Sequence, residues 1–262
     1  MITLDFSGKN AIVTGAGSGI AKAIAINLAE SGANVWIGEI SEKNAMETLT
    51  QMKKYRKHYG FTQIDVGNKV DVEQLFSAAT SNFGSVDIVV NGAGIFMPKH
   101  FIEAEPEEIK KHLDINLMGV VYCCQIGLAT MIQQGSGGKI VNISSVGGRH
   151  GDRDFPFYAM GKAGILNLTQ SIAYIGAPHR INCNAVCPGI IRTPMWDTIL
   201  KGIYGETDNP DELFNEVLLS RTPLGKAQTG DDIAHTVLFL CSHYTDEITG
   251  QAWNVCGGSV MS

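Results

Sequence analysis

The chain has 262 residues, a formal net charge of −6 at pH 7 and 44% apolar residues. This length suits one large α/β domain, and no linker, charge block or repeat marks a boundary, so we expect a single domain over residues 1–262. The basic residues are scattered, which argues against nucleic acid or an anionic membrane as a partner and leaves small molecules as the expected partners.

Targeting and redox features are few. The N-terminal segment MITLDFSGKNAIVTG lacks a basic region followed by a long apolar run, and no stretch approaches about 18 uninterrupted apolar residues. The six cysteines form no C-x-x-C pair and show no zinc-type histidine spacing. They predict buried reduced thiols, no metal site and a cytoplasmic protein without membrane association.

Short apolar runs alternate with longer helical patterns along the chain. Strands are predicted at 10–14, 34–39, 61–66, 87–91, 139–144, 181–186 and 251–255. Helices are predicted at about 19–31, 42–57, 69–83, 106–134, 157–176 and 230–242. This alternation predicts an α/β fold, a doubly wound parallel sheet in a three-layer α/β/α domain, with ligands bound at the carboxyl ends of the strands.

The first predicted strand is followed by TGAGSGIA (14–21), which runs directly into an amphipathic helix. Gly15, Gly17 and Gly19 permit a tight turn and a close backbone approach, and the helix N-terminus offers free N–H groups to a phosphate. A glycine-rich turn is often only a turn, but its place between strand and helix favours a dinucleotide site.

Glu39 closes the second predicted strand, 20 residues after Gly19. A carboxylate there can accept hydrogen bonds from adenosine ribose hydroxyls and repel a 2′-phosphate. An ordinary solvated strand-end glutamate is the alternative, and Lys43 one helical turn later complicates the preference. We therefore expect NAD rather than NADP.

Residues 157–164, FYAMGKAG, place Tyr158 and Lys162 four positions apart on a predicted helix, where side chains at this spacing share one face. The spacing alone also fits a surface pair. A free phenol has a pKa of about 10, and a nearby ammonium together with the oxidised nicotinamide would favour the phenolate.

Taken in order, the motifs resemble those of the short-chain dehydrogenase/reductase family over the whole chain. The matching segments are TGAGSGIA, Asp65-Val66, NGAG (91–94), Asn116 in DINLMG, SSV (144–146), YAMGK (158–162), PGIIRTPM (188–195) and ITGQAWNVCGG. The resemblance implies a Rossmann-type fold, a nicotinamide cofactor and interconversion of a secondary alcohol and a ketone. It also implies a homotetramer built through the helices at 106–134 and 157–176.

The resemblance further implies roles for single residues. Tyr158 is expected to be the acid/base and Lys162 its activator and a ligand of the nicotinamide ribose. Ser145, thirteen residues before the tyrosine, is expected to orient the substrate, and Asn116 to hold a proton-relay water. Expected cofactor contacts are Gly15, Gly17, Ser18, Gly19, Ile20, Glu39, Asp65, Val66, Asn91, Ala93, Gly94, Tyr158, Lys162, Pro188, Gly189, Ile191 and Thr193; for Asn91 a purely structural role is favoured.

Three positions depart from the family pattern. Ala21 replaces the third phosphate-loop glycine and adds a methyl where helix and strand pack closely. Gly92 stands where an asparagine is common, and Cys256 where an aspartate is common before the final Gly-Gly. None belongs to the Ser-Tyr-Lys-Asn set, so we expect catalysis to survive all three.

The substrate pocket is expected to involve residues 96–97, 149–157 and 195–221, with a mobile lid at about 194–222. Within it, Asn209 is predicted to cap a helix that begins at Pro210, and the apolar face at 213–218 is expected to pack the lid on the body. PGIIRTPMW resembles acetoin/diacetyl reductases and NVCGGSVMS resembles polyol dehydrogenases, which favours a polyol or a small hydroxyketone.

Other substrates and classes stay open. Arg149, His150 and Arg153 could bind a phosphate or carboxylate, or be solvated loop charges, and Trp196 or Phe155 could line a steroid-sized cleft. The enzymatic alternatives are a hydroxysteroid dehydrogenase and a 3-oxoacyl thioester reductase. The alternative outside enzymology is an NAD(H)-sensing binding protein.

Overall fold

Seven parallel strands form one sheet in the order β3-β2-β1-β4-β5-β6-β7. The computed structural model describes residues 3–55, 57–97 and 101–261. The strands are β1 (Asn10–Thr14), β2 (Asn34–Glu39), β3 (Tyr59–Gln63), β4 (Ile88–Asn91), β5 (Gly138–Ile143), β6 (Ile181–Pro188) and β7 (Ala252–Val255). The predicted doubly wound parallel sheet is confirmed.

Helices cover both faces of this sheet. They are α1 (Gly19–Glu30), α2 (Glu42–Met52), α3 (Lys69–Phe83), α4 (Pro106–Leu113), α5 (Gly119–Gln134), α6 (Pro156–Gly176), α7 (Pro194–Tyr204), α8 (Pro210–Arg221) and α9 (Gly230–Cys241). One buried apolar cluster joins α1 and α9 to the sheet, and a second joins α3, α5 and α6 to its other face. The predicted three-layer arrangement follows from these two cores.

The strand order places a crevice at one edge of the sheet. β1 pairs with β2 on one side and with β4 on the other, with Thr14 opposite both Gly38 and Asn91. After β1 the chain continues to β2 and β3 on one side of the sheet, and after β4 it continues to β5, β6 and β7 on the other side. The connections after β1 and β4 therefore separate above the carboxyl ends of these two strands. Ligands of doubly wound sheets bind in such a crevice.

Two predicted elements end three or more residues earlier than expected. β3 ends at Gln63, because the next residues leave the sheet for a turn in which the Gly67 N–H donates to Asp65 Oδ1 at 2.9 Å. α2 ends at Met52, earlier than the predicted end near 57, and a 3₁₀ turn follows at Lys53–Tyr55. Residue 56, within the predicted helix, lies outside the described residues.

The predicted helix at 106–134 is interrupted by a π-helical turn, Asp114–Met118, between α4 and α5. By length and composition alone, the stretch Pro106–Gln134 is apolar enough to cross a membrane, in the part of the chain that the structure describes. Its α5 part packs on α3, α6, β4 and β5, in the manner of a core helix. The interruption matters because π turns are frequent at functional sites.

Residues 194–222 form two helices, α7 and α8, of which α7 was not predicted. Asn209 lies at the start of α8, but its side chain donates to Glu212 Oε2 at 3.2 Å and does not cap the backbone. Phe214 and Leu218 on α8 pack against Leu200 of α7 in a separate apolar cluster. The apolar face of α8 therefore serves packing, and its movement as a lid stays a prediction.

Two of the three departures from the family pattern touch each other. A Cβ added to Gly92 would lie 2.7 Å from the Cβ of Ala21 and 3.0 Å from the carbonyl oxygen of Thr14. The missing side chain at 92 therefore leaves room for the extra methyl at 21. The two departures compensate for one another, and α1 keeps its close approach to β4.

Candidate active site

A cleft of about 680 Å³ opens at the carboxyl ends of the strands. It contains most of the residues expected to bind a dinucleotide or act on a substrate: Gly15, Ser18, Gly19, Ile20, Glu39, Asp65, Val66, Ala93, Gly94, Ser145, Tyr158, Lys162, Pro188, Gly189, Ile191 and Thr193. Gly17, Asn91 and Asn116 do not line the cleft, and the contacts described below explain why.

The glycine loop and the N-terminus of α1 form one wall. Gly15 has φ 71°, and a Cβ there would lie 2.6 Å from the Cα of Ala93, so only glycine fits. Ser18 occupies the N-cap of α1 without a side-chain capping bond, and Lys22 makes the first intrahelical bond to its carbonyl at 3.2 Å. The N–H groups of the first turn of α1, before Lys22, have no partner within the helix. They and the Ser18 hydroxyl are thus available to a pyrophosphate.

Glu39 lies beside this loop with only 8% of its surface exposed. Its Oε2 accepts from the Gly17 N–H at 2.8 Å and its Oε1 from the Ser41 N–H at 3.0 Å. Each carboxylate oxygen keeps a further lone pair for a ribose hydroxyl. The adjacent side chain is Ile40, which is 62% exposed, and Lys43 does not line the cleft. The residues present fit an adenosine ribose and oppose a 2′-phosphate.

Asn91 lies under the cleft and not in it. Its Nδ2 donates to Asn142 Oδ1 at 2.7 Å, linking β4 to β5, and its exposure is 2%. These contacts agree with the structural role favoured for Asn91, since its amide nitrogen donates within the sheet, and a cofactor contact by Asn91 stays a prediction.

The two serines after β5 have different partners. Ser144 is buried, and its Oγ donates to the carbonyl of Lys162 at 2.8 Å. Ser145 faces the cleft and accepts from the Gly147 N–H at 3.0 Å. A Cβ on Gly148 would lie 2.7 Å from the carbonyl carbon of Lys162, so this glycine lets the serine turn press against α6. The contact brings Ser145 to Tyr158.

Tyr158 and Lys162 lie in the first two turns of α6. The Lys162 Nζ is 5.6 Å from the centroid of the Tyr158 ring and donates to the Ile143 carbonyl at 2.9 Å. Burial lowers the pKa of Lys162 to about 8, while the Cys187 sulfur acts in the opposite direction. An ammonium held here supplies positive charge against the phenol.

The chain by itself raises the pKa of Tyr158, whereas the lowering expected for this phenol depends on Lys162 together with the oxidised nicotinamide. Burial raises the pKa of the phenol, and a hydrogen bond with the Ser145 side chain opposes this only partly. The physical reason is that desolvation disfavours the phenolate more than this hydrogen bond favours it. A pKa of the Tyr158 phenol below its usual value therefore requires a bound group.

Asn116 sits in the π-helical turn, fully buried. Its Oδ1 accepts from the Ile95 N–H and its Nδ2 donates to the Ile95 carbonyl, both at 2.9 Å. A Cβ on Gly94 would lie 2.9 Å from Asn116 Oδ1 and 3.7 Å from Lys162 Nζ, so the loop, the asparagine and the lysine converge there. The side chain braces the cleft wall, and a relay water at Asn116 stays a prediction.

His112 is a site residue that the sequence reasoning missed. It is 1% exposed, and the Asn116 amide nitrogen lies 2.9 Å from its Nε2 and 3.2 Å from its Nδ1. Its ring centroid is 6.2 Å from that of Tyr158. The i, i+4 spacing of His112 and Asn116 was a signal that could have found it.

The charge state of His112 leads to an acid-stability prediction. Burial lowers its pKa to about 4, Lys162 acts in the same direction, and a hydrogen bond with the Ile95 carbonyl opposes both. Between pH 6.5 and 4 the unfolded chain binds a proton at this residue that the folded chain does not bind. The free energy of unfolding therefore falls as the pH falls through this window, by up to about 3 kcal/mol.

Urea unfolding at several pH values measures this effect. The His112→Leu variant is expected to lose the corresponding part of the pH dependence, since leucine does not titrate. Identical pH dependence in wild type and variant would assign the acid sensitivity to other groups.

The substrate end of the cleft combines aromatic walls with several polar side chains. Phe96 contacts Phe155 and Tyr158 in edge-to-face geometry, with centroids 5.2 and 5.9 Å apart. Trp196, His150, Asp152, Met195, Ile199, Ser220, Arg221 and Ser259 also line it. Such a pocket suits a short substrate with an apolar side and a small number of oxygens.

Two of the three basic loop residues do not face this pocket. Arg149 donates through Nε to Asn254 Oδ1 at 3.0 Å and through Nη2 to the carbonyl of Ala252, which ties it to β7. Arg153 is 93% exposed at its side chain and lies 3.4 Å from Asp154. The alternative of an anion site formed by Arg149, His150 and Arg153 is corrected, because only His150 lines the cleft.

Comparison with known proteins gives a consistent set of relatives. The family described as enoyl-(acyl carrier protein) reductase matches residues 15–260. A diacetyl reductase [(S)-acetoin forming] of Staphylococcus epidermidis is 34% identical, covering 96% of this chain and 98% of its own. A 3-oxoacyl-[acyl-carrier-protein] reductase of Staphylococcus aureus is 37% identical, covering 97% and 98%. The crystal structure of a levodione reductase superposes with a TM-score of 0.91 at 30% identity, covering 97% and 98%.

Proposed function

Because the chain belongs to the short-chain dehydrogenase/reductase family, we propose that it is an NAD-dependent oxidoreductase that interconverts a secondary alcohol and a ketone. The observation that carries this proposal is one cleft with Glu39 at one end and Ser145, Tyr158 and Lys162 at the other. The proposed substrate is a polyol or a small hydroxyketone.

Each residue of the catalytic end has a stated task. NAD, when bound, supplies the acceptor for a hydride. Tyr158 takes the hydroxyl proton at its phenolic oxygen during oxidation and returns it during reduction. Ser145 holds the same substrate oxygen, and Lys162 supplies positive charge that favours the phenolate. The rings of Phe96, Phe155 and Trp196 limit the access of water.

The cofactor preference is tested by changing Glu39. We expect wild type to use NAD far better than NADP, and Glu39→Ala to narrow this ratio of kcat/KM by ~10-fold or more, since it removes ribose bonding and the repulsion of a 2′-phosphate. Glu39→Gln keeps an acceptor for the Gly17 N–H and isolates the effect of charge. Glu42→Ala, at the exposed start of α2, is the matched control. A wild-type preference for NADP would show the proposed cofactor to be wrong.

The proposed substrate class rests on the size and lining of the cleft and on the S. epidermidis diacetyl reductase as a relative. The substrate is proposed to lie between the aromatic rings of the cleft, with His150 and Asp152, which also line it, as the proposed partners of a second oxygen. Two alternatives have support of their own. The S. aureus 3-oxoacyl reductase favours a thioester substrate, and Phe155 with Trp196 suits a wider steroid ring.

A kinetic panel separates these classes. Sorbitol, ribitol, butanediol, a simple secondary alcohol, a 3-hydroxyacyl thioester and a bile acid are each oxidised with NAD, and kcat/KM is compared. We expect a diol or polyol to rank first, because a site that bonds a second oxygen discriminates against a compound lacking it by ~1–3 kcal/mol per unpaired group. A thioester or steroid ranking above every diol and polyol would overturn the proposed substrate class.

We also propose a homotetramer and a cytoplasmic location. Met160, Tyr174 and Ile175 on α6 are apolar and between 49% and 84% exposed, which suits a face covered by a second copy. All six cysteines are free and buried, in keeping with a reducing compartment. Light scattering after size exclusion tests the assembly, and a monomer at working concentration would contradict it.

A further inference from the structure

We propose that His112 is a positioning residue, which fixes the catalytic tyrosine and the cleft wall relative to one another. This inference rests on the proposed function for its kinetic consequences but not for its structural ones. His112 contacts two arms of the site at once. One arm is the Asn116–Ile95 pair, and the other is the ring of Tyr158.

The contact with Asn116 completes the hydrogen bonding of a buried amide. Asn116 Nδ2 carries two hydrogens, and one of them is used by the Ile95 carbonyl at 2.9 Å. The same nitrogen lies 2.9 and 3.2 Å from the two imidazole nitrogens of His112. Nearly equal distances place the amide across the ring face, because an in-plane bond to one nitrogen would leave the other much farther away. The second N–H therefore meets the imidazole.

The Ile95 segment transmits this contact to the substrate pocket. Ile95 exchanges two hydrogen bonds with Asn116, whose amide nitrogen also lies against the His112 imidazole. Phe96 follows directly, and its ring contacts the Tyr158 ring. A change in the support of Ile95 therefore moves a wall of the pocket.

The contact with Tyr158 is direct. The His112 and Tyr158 rings have centroids 6.2 Å apart and an interplanar angle of 68°, an edge-to-face arrangement. The Phe96 and Tyr158 rings are 5.9 Å apart at 64°. The phenol is thus restrained by two rings, one from α4 and one from the loop after β4. His112 contacts the Tyr158 ring directly. It also contacts Asn116, which supports the segment that carries the Phe96 ring.

Histidine suits this position better than an apolar side chain of similar volume. A leucine would fill the space but leave an N–H of the buried Asn116 facing carbon, and buried donors without partners are avoided. The imidazole is kept neutral by its burial, so it adds no second positive charge beside Lys162. The position therefore requires a neutral polar group.

Variants at this position separate a positioning role from filling of space. His112→Leu keeps the volume and removes the polar atoms, while His112→Gln and His112→Asn keep a polar group that can accept from the Asn116 amide. Lys111→Leu, an exposed change on the same helix, is the matched control. We measure kcat and KM with NADH and diacetyl, NADH affinity by fluorescence, and amide hydrogen exchange of residues 94–97.

We expect His112→Leu to lower kcat by ~10-fold with the KM for NADH changed less than ~2-fold, because the ring of Tyr158 is displaced while the cofactor contacts stay in place. Exchange of the Ile95 amide should become faster, since its bond to Asn116 Oδ1 is weakened. At least one of the glutamine and asparagine variants should recover most of the kcat and the protection. Lys111→Leu should match wild type.

Wild-type kcat and wild-type exchange in a folded His112→Leu variant would overturn the inference. So would equal losses in the leucine, glutamine and asparagine variants, since a partner for the Asn116 N–H would then be irrelevant. If the leucine variant does not fold, His112→Met supplies the same comparison with a more adaptable side chain. If wild type turns over no compound, the proposed function fails, and hydrogen exchange alone still decides whether His112 supports Ile95.

Discussion

Replacing Tyr158 by phenylalanine lowers kcat by ~100-fold or more, the scale expected when acid/base catalysis is removed. The ring and its contacts with Phe96 and His112 remain, so folding and NAD affinity are expected to stay close to wild type. The loss arises because phenylalanine has no exchangeable proton where the substrate oxygen is held beside Ser145. Steady-state kinetics and NAD titration measure the two quantities separately.

Tyr244→Phe is the matched control for this substitution. Tyr244 lies after α9, is 43% exposed and does not line the cleft. Its variant is expected to keep wild-type kcat. Near-normal turnover in Tyr158→Phe, or an equal loss in both variants, would remove Tyr158 from the catalytic assignment.

Replacing Lys162 by methionine should damage turnover and cofactor affinity together. Methionine keeps the length of the buried side chain but removes the ammonium that lies against the Tyr158 ring and donates to the Ile143 carbonyl. We expect kcat to fall by ~100-fold and the Kd for NAD to rise by ~10-fold, since one charged group serves both catalysis and ribose binding.

The contrast with Tyr158→Phe makes this prediction specific. Lys201→Met, at a side chain that is 68% exposed on α7, serves as the control and is expected to bind NAD as wild type does. A Lys162→Met variant with wild-type NAD affinity would show that the lysine acts in proton transfer and not in ribose binding. Unchanged kcat would remove its proposed role.

The sheet was predictable because each buried strand is short, apolar and bounded by turn residues. β1 and β2 have the predicted limits, and β4 to β7 differ by one or two residues at their ends. β3 was placed too late, because Ile64 and Val66 are buried although they lie in a loop beyond the sheet. Buried apolar residues in a loop give the same sequence pattern as those in a strand.

The break between α4 and α5 could not be read from periodicity. Residues 106–134 have continuous helical character, and the π-helical turn at Asp114–Met118 departs from it by only a local change of bonding. The turn is accompanied by the bonds from Asn116 to Ile95, a residue 21 positions earlier. Contacts across that separation leave no mark in the local sequence.

The site divides in a similar way. Tyr158, Lys162, Ser145 and Glu39 were identified because motif spacing carries them, and the structure places all four in the cleft. His112 was missed, and Arg149 was considered for an anion although it is bonded to β7. Ala21 and Gly92 were read as separate departures, whereas they form one packed contact. The deciding contacts are those of His112 with Tyr158, of Arg149 with β7 and of Ala21 with Gly92, and each joins residues distant in sequence.

The central claim is that the cleft transfers a hydride between a nicotinamide and a small secondary alcohol or ketone, with Tyr158 as the proton donor. Its most direct test is to incubate the wild-type protein with NADH and diacetyl, and to measure NADH loss and hydroxyketone formation together. We predict one hydroxyketone formed per NADH consumed, with the rate reduced ~100-fold or more by Tyr158→Phe. Binding of NADH without turnover of diacetyl or of any compound in the panel would contradict the claim and favour an NAD(H)-sensing binding protein.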